Sequence, residues 1–132
     1  MTATDQTRVL LVDDNQEILE RAAAILSPAC MIVGAVSDGK AALESIRTLQ
    51  PDVVVLDISM PGMSGLEVAA RLRRAGSKVQ IVFLTIHDDE ELVMAAQAAG
   101  GIGYVAKTSL PSDLVIAVNE ACAGRRYVSQ MR

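Results

Sequence analysis

The chain has 132 residues, of which 51% are hydrophobic and only 2% aromatic, with a net charge of −4. That is enough for one domain with an aliphatic core, and Phe83, Tyr104 and Tyr127 are too few rings for a base-stacking platform. The acidic balance disfavours phosphate backbones, so no direct DNA binding by this chain is expected.

The first seven residues, MTATDQT, read as a flexible arm. The N-terminus lacks the charged start and apolar run of a signal peptide. No apolar stretch reaches the roughly 20 residues of a membrane helix, so a cytoplasmic protein with no membrane contact is expected. Cys30 and Cys122 show no metal-ligand spacing and read as small core residues of a reduced protein.

Five short apolar runs follow, at 8–12, 31–36, 52–56, 79–84 and 102–106. Unbroken apolar runs are what parallel strands show when both faces are covered. Helical periods lie between them. Ile18, Ala22, Ile25 and Leu26 share one face in the first, and Leu114, Ala117, Val118 and Ala121 share one in the last. Asp38 is placed to cap the second helix, and Ser64 with Glu67 forms a capping box for the third. Pro51 follows the second helix, and Gly76 and Gly100 follow the third and fourth. The alternation predicts an α/β fold: a doubly wound (βα)5 parallel sheet with helices on both faces, over residues 8–124. Residues 125–132 read as a tail.

Ligands of open parallel sheets bind at the carboxyl ends of the strands. There the chain carries Asp13 and Asp14, Asp57, Thr85 and Lys107 on the first, third, fourth and fifth strands. Each has an ordinary reading by itself: Asp14 as a helix cap, Asp57 as a turn residue, Thr85 as a strand residue, Lys107 as a solvated charge. Their convergence on one edge favours a site. Two unit charges about 5 Å apart repel by roughly 3 kcal/mol at an effective dielectric of about 20, so the carboxylates need protons or a cation. An all-oxygen donor set suits Mg2+. Asp57 then becomes a candidate nucleophile forming an acyl phosphate, with Thr85 donating to one phosphoryl oxygen and Lys107 balancing another.

With these residues go the motifs VLLVDDN at 9–15, VVVLDISMPGMSGLE at 53–67, IVFLT at 81–85 and GYVAK at 103–107. Together they resemble the receiver domain of bacterial two-component response regulators, in family order over residues 8–124. The resemblance implies a flavodoxin-like (CheY-like) fold and phosphorylation of Asp57 by a sensor histidine kinase. It implies Mg2+ on Asp13, Asp14, Asp57 and the backbone carbonyl of Ser59, and Thr85 with Tyr104 as a switch pair. In that pair the hydroxyl moves toward the phosphoryl group and the ring turns inward. Such a domain is a phosphoacceptor for signalling, not an enzyme acting on other molecules.

The segment LVIAVNEACAGRRYVS at 114–129, with Lys107-Thr108, resembles NarL/FixJ-type regulators. Those continue into a LuxR-type helix-turn-helix domain that controls transcription, and none is present in these residues. The chain then reads as a truncated regulator, whose residues 125–132 begin a linker, or as a stand-alone receiver; truncation is favoured. Phosphorylation-dependent homodimerisation through the last helices is expected.

Ile86 departs from the small residue usual after the switch threonine. It either narrows access to Asp57 and restrains Thr85, or packs into the core. Ser59 and His87 occupy positions that tune loss of the phosphoryl group, and His87 reads as solvent-facing. The glycines at 62–65 and 100–103 read as turns, not dinucleotide loops. A dehalogenase-like phosphohydrolase is disfavoured, because Ser59 stands where that chemistry wants an acid. A degenerate receiver acting only as a protein-binding module is the other alternative; only Ile86 speaks for it.

Overall fold

The computed structural model describes residues 6–86 and 90–129. In chain order it contains β1 (Arg8–Val12), α1 (Gln16–Leu26), β2 (Met31–Val36), α2 (Gly39–Leu49), β3 (Val53–Asp57), α3 (Gly65–Arg74), β4 (Gln80–Thr85), α4 (Glu90–Ala98), β5 (Gly103–Ala106), a 3-10 turn (Lys107–Ser109), α5 (Leu110–Cys122) and β6 (Tyr127–Val128). The α/β architecture matches expectation. The strand count does not: residues read as a tail supply a sixth strand, and the order is β2-β1-β3-β4-β5-β6, all pairs parallel.

Alternation along the central strands builds two cores. Val9, Leu11, Val53, Val55, Val82, Leu84 and Val105 face α1 and α5. Leu10, Val12, Val54, Leu56, Ile81, Phe83 and Tyr104 face α2, α3 and α4. With both faces covered, β3 is buried along its whole length, as its unbroken apolar run predicts. β2 is different: it lies at the edge, and Met31 is 45% exposed.

The helix signals are mostly as read. Leu114, Ala117, Val118 and Ala121 are buried on α5. On α1 the buried line is Leu19, Ala22 and Leu26, with Ile18 and Ile25 only flanking it. Asp38 Oδ1 accepts from the Ala41 amide, and Ser64 Oγ from the Glu67 amide. The Glu67 carboxylate pairs with Arg71 one turn on, at 2.9 Å. Gln50 closes α2 in the left-handed conformation, while Gly76 and Gly100 follow α3 and α4 with φ of 73° and 103°, where L side chains are strained.

Cys30 is buried, and burial, then the nearby Cys122, raises its thiol pKa. Cys122 is exposed at the end of α5, contrary to the core reading. Its sulfur accepts a hydrogen bond from Thr7 Oγ1 at 3.4 Å. Both thiols are free.

Candidate phosphoacceptor site

The sheet's order reverses between β1 and β3, which places Asp13 and Asp14 beside Asp57 at the carboxyl edge. Asn15 caps α1, its Oδ1 accepting from the amides of Glu17 and Ile18 at 2.9 and 3.3 Å. The capping reading of Asp14 therefore falls, and its carboxylate stays exposed at the pocket mouth. Asp13 is 1% exposed and Asp57 3% exposed.

One oxygen from each of Asp13, Asp14 and Asp57 lies within 4.8 Å of the others. Lys107, carried in by the 3-10 turn after β5, sits between two of them. Its Nζ is 2.8 Å from Asp13 Oδ2 and 3.4 Å from Asp57 Oδ2. Asp13 Oδ1 accepts from the Asn15 amide at 2.9 Å, and Asp57 Oδ1 from the Ser59 amide at 3.2 Å.

Burial, and next the charge of Asp13, raises the Asp57 carboxyl from 3.8 to about 6; Lys107 and the Ser59 amide pull the other way. One ammonium does not neutralise three carboxylates. Among the described residues, Asp13 Oδ2 has Lys107 Nζ, at 2.8 Å, as its one close partner. A buried carboxylate oxygen with a spare lone pair, within a three-carboxylate cluster, fits a hard divalent cation.

Thr85 ends β4 and is 2% exposed; it pairs in register with Ala106, the residue before Lys107. Tyr104, on β5, is 2% exposed, its ring buried on the α2–α4 side. Ile86 is 70% exposed, so its core reading is excluded and it stands as a large apolar side chain beside Thr85. His87 lies outside the described residues.

Gly65 opens α3 against the end of β3. A Cβ there would collide with the Asp57 carbonyl oxygen, so this glycine is a close-approach position as well as part of a turn. A cavity of about 1360 Å3 lies elsewhere, at the amino edge of the sheet, and includes Arg47, Arg71, Arg74 and Lys78. The three arginines lie in the last turns of α2 and α3, where cations offset the helix dipole.

Residues 9–119 match the family model of the response regulator receiver domain. The chain belongs to that family. The receiver is 36% identical over 123 residues to the response regulator UvrY of Escherichia coli K12, covering 92% of this chain and 56% of that protein. It is 33% identical over 132 residues to the nitrate/nitrite response regulator NarL of the same organism, covering 98% and 61%. The chain thus spans little more than half the length of these curated relatives. Among solved structures, it is similar to the signal receiver domain of a NarL from Mycobacterium tuberculosis, with a TM-score of 0.87, 35% identity and coverage of 91% and 98%. A LuxR-family regulator from Aurantimonas sp. SI85-9A1 gives 0.88 at 32% identity, covering 93% and 89%. The receiver is therefore of the NarL/LuxR type, as the 114–129 segment suggested. The LuxR-type output domain is absent from these residues.

Sequence reasoning missed one group of polar residues, Asp113, Tyr127 and Ser129. The signal was present in the exit from α5: Gly124 turns the chain with φ of 80°, and the aromatic–β-branched pair Tyr127-Val128 favours a strand.

Proposed function

We propose that Asp57 accepts a phosphoryl group from the phosphohistidine of a sensor histidine kinase and that this drives a conformational switch. The observation that carries the reading is a buried carboxylate held 3.4 Å from Lys107 inside a three-carboxylate cluster. In the step, an Asp57 carboxylate oxygen attacks phosphorus, the P–N bond breaks, and its electron pair leaves with the imidazole. Asp13, Asp14, Asp57 and the Ser59 carbonyl would hold Mg2+. When bound, such a cation screens carboxylate and phosphoryl oxygens from one another.

The chain's own groups do the rest. Lys107 remains paired with Asp13 while balancing charge at Asp57, Thr85 donates its hydroxyl to a phosphoryl oxygen, and the Ser59 amide orients the nucleophile. Thr85 and Tyr104 form the switch pair, and the inward ring is the position implied for the switched form. Added charge at Asp57 biases two packings a few kcal/mol apart. What counts against a degenerate receiver is the convergence of Asp13, Asp14, Asp57 and Lys107, with Thr85 at the end of β4; Ile86, exposed beside Thr85, remains the one feature that favours it.

At the level of the whole regulator, residues 8–124 act as the receiver together with β6, which pairs with β5, so that a linker can begin only after β6. The regulator works in the cytoplasm, dimerises when phosphorylated, and reaches DNA through a LuxR-type output domain. Transfer from a phosphorylated histidine kinase tests the chemistry. The label should move to this chain as a species lost in alkali or hydroxylamine, as an acyl phosphate must be. A label that survives both treatments would contradict it.

A further inference from the structure

The buried polar side chains among the described residues are Asp13, Asp57, Thr85 and Ser129. Three belong to the pocket. Ser129, 3% exposed, lies in the segment after α5, and a buried hydroxyl is tolerated only when its hydrogen bonds are made. They are made here. Ser129 Oγ donates to Asp113 Oδ2 at 2.6 Å and accepts from the Ala106 amide at 3.3 Å. The Ser129 amide donates to the Tyr104 carbonyl at 2.8 Å. Tyr127 Oη donates to the other carboxylate oxygen, Asp113 Oδ1, at 3.0 Å.

Asp113 stands in the first turn of α5, where its charge suits the helix dipole, so it is a fixed post for both hydroxyls. The result is a clasp that joins the start of α5, the end of β6 and the outer edge of β5. Its two attachment points on β5 are specific. Tyr104 carries the ring of the switch pair, and Ala106 directly precedes Lys107, whose ammonium bridges Asp13 and Asp57. On the other side, the same two residues pair with Phe83 and Thr85 of β4. β5 is therefore held between the strand that carries the switch threonine and the returning C-terminal segment.

We propose that Ser129 and Asp113 are positioning residues for the phosphoryl site: through the Ala106 amide and the Tyr104 carbonyl they set the end of β5, and so couple the placement of Lys107 to the docking of β6. The coupling runs both ways, so a phosphoryl group at Asp57 alters how tightly β6 is held. This rests on the reading of Asp57 as phosphoacceptor.

The test compares the wild type with Ser129→Ala, Ser129→Thr and Asp113→Asn at a temperature where each is folded by circular dichroism. Two quantities are read: the rate of phosphoryl uptake from acetyl phosphate with Mg2+, and hydrogen exchange at the Ala106 and Ser129 amides before and after uptake. Ser129→Ala and Asp113→Asn should each slow uptake about fivefold, the scale of one lost hydrogen bond, while Ser129→Thr, which keeps the hydroxyl, stays within about twofold of wild type. In the wild type the exchange of both amides should change on uptake; in Ser129→Ala that response should be lost. Uptake in Ser129→Ala and Asp113→Asn at the wild-type rate, or threonine as impaired as alanine, overturns the inference and leaves the Asp57 reading intact. A wild type that folds but takes up no phosphoryl group overturns both.

Discussion

At the residue scale, Asp57 is held in tension between burial and chemistry. Its carboxyl is raised from 3.8 to about 6, so the folded chain binds that proton more tightly than the unfolded chain does. Stability must then fall as pH rises from about 4 to about 6, and the loss is complete above that range. Asp57→Asn should accordingly stabilise the metal-free protein at pH 8, by about 1–3 kcal/mol, and the gain should vanish below pH 4. Thermal melts at the two pH values check both statements. Lys107→Gln acts in the opposite direction, because it leaves Asp13 and Asp57 without their ammonium. A loss of about 1–3 kcal/mol at pH 8 is expected, shrinking as the solution is acidified. A Lys107→Gln protein as stable as wild type at pH 8 would mean that the 2.8 Å pair contributes nothing.

At the element scale, the loops that follow the strands are what turn a sheet edge into a site. Asn15 is the clearest case: its side chain caps α1 while its amide holds Asp13. Asn15→Ala should cost about 1 kcal/mol in denaturant unfolding through the lost cap, while the backbone amide that holds Asp13 is kept. Gly65 constrains the opposite wall. Gly65→Ala forces a methyl toward the Asp57 carbonyl oxygen, so α3 or the end of β3 must shift, and stability should fall by about 1–3 kcal/mol. An unchanged melt would show that α3 moves freely there.

These elements also show what was legible beforehand. β1, β3, β4 and β5 declared themselves because both their faces are covered, and the site residues followed from asking what each strand carries at one end. β2 carried the same apolar signal although it lies at the edge, since composition does not report on neighbours. The two-residue β6 was too short to have a period. Besides its backbone pairing with β5, it is tied down by Asp113 and Ser129, 16 positions apart, a contact no local pattern encodes. Asp14 and Asn15 compete for the same cap, and only the backbone decides between them.

At the scale of the whole molecule, the two edges of the sheet differ in charge at their pockets. Asp13, Asp14 and Asp57 gather at the carboxyl edge, and Arg47, Arg71, Arg74 and Lys78, with Asp52 among them, line the cavity at the amino edge. No helix among the described residues is long and apolar enough to cross a membrane. Met94 on α4 and Ile116 on α5 are large apolar side chains that the last helices leave exposed, and Ile116 tests self-association through α5. Phosphorylation should raise the dimer fraction in sedimentation, and Ile116→Glu should suppress the rise; equal fractions with and without the phosphoryl group would argue against that surface. Binding of Mg2+ to the folded chain alone should raise the melting temperature, with a gain of about 2.7 kcal/mol at a hundredfold excess over Kd.

On the proposed function, Asp57 is a phosphoacceptor whose pocket requires a cation. Intact mass after incubation with acetyl phosphate tests this most directly, with Mg2+, with chelator, and with Asp57→Asn. One added phosphoryl group on the wild type with Mg2+, and none in the other two samples, is the predicted result. Equal addition to Asp57→Asn, or addition undiminished by chelator, would contradict it.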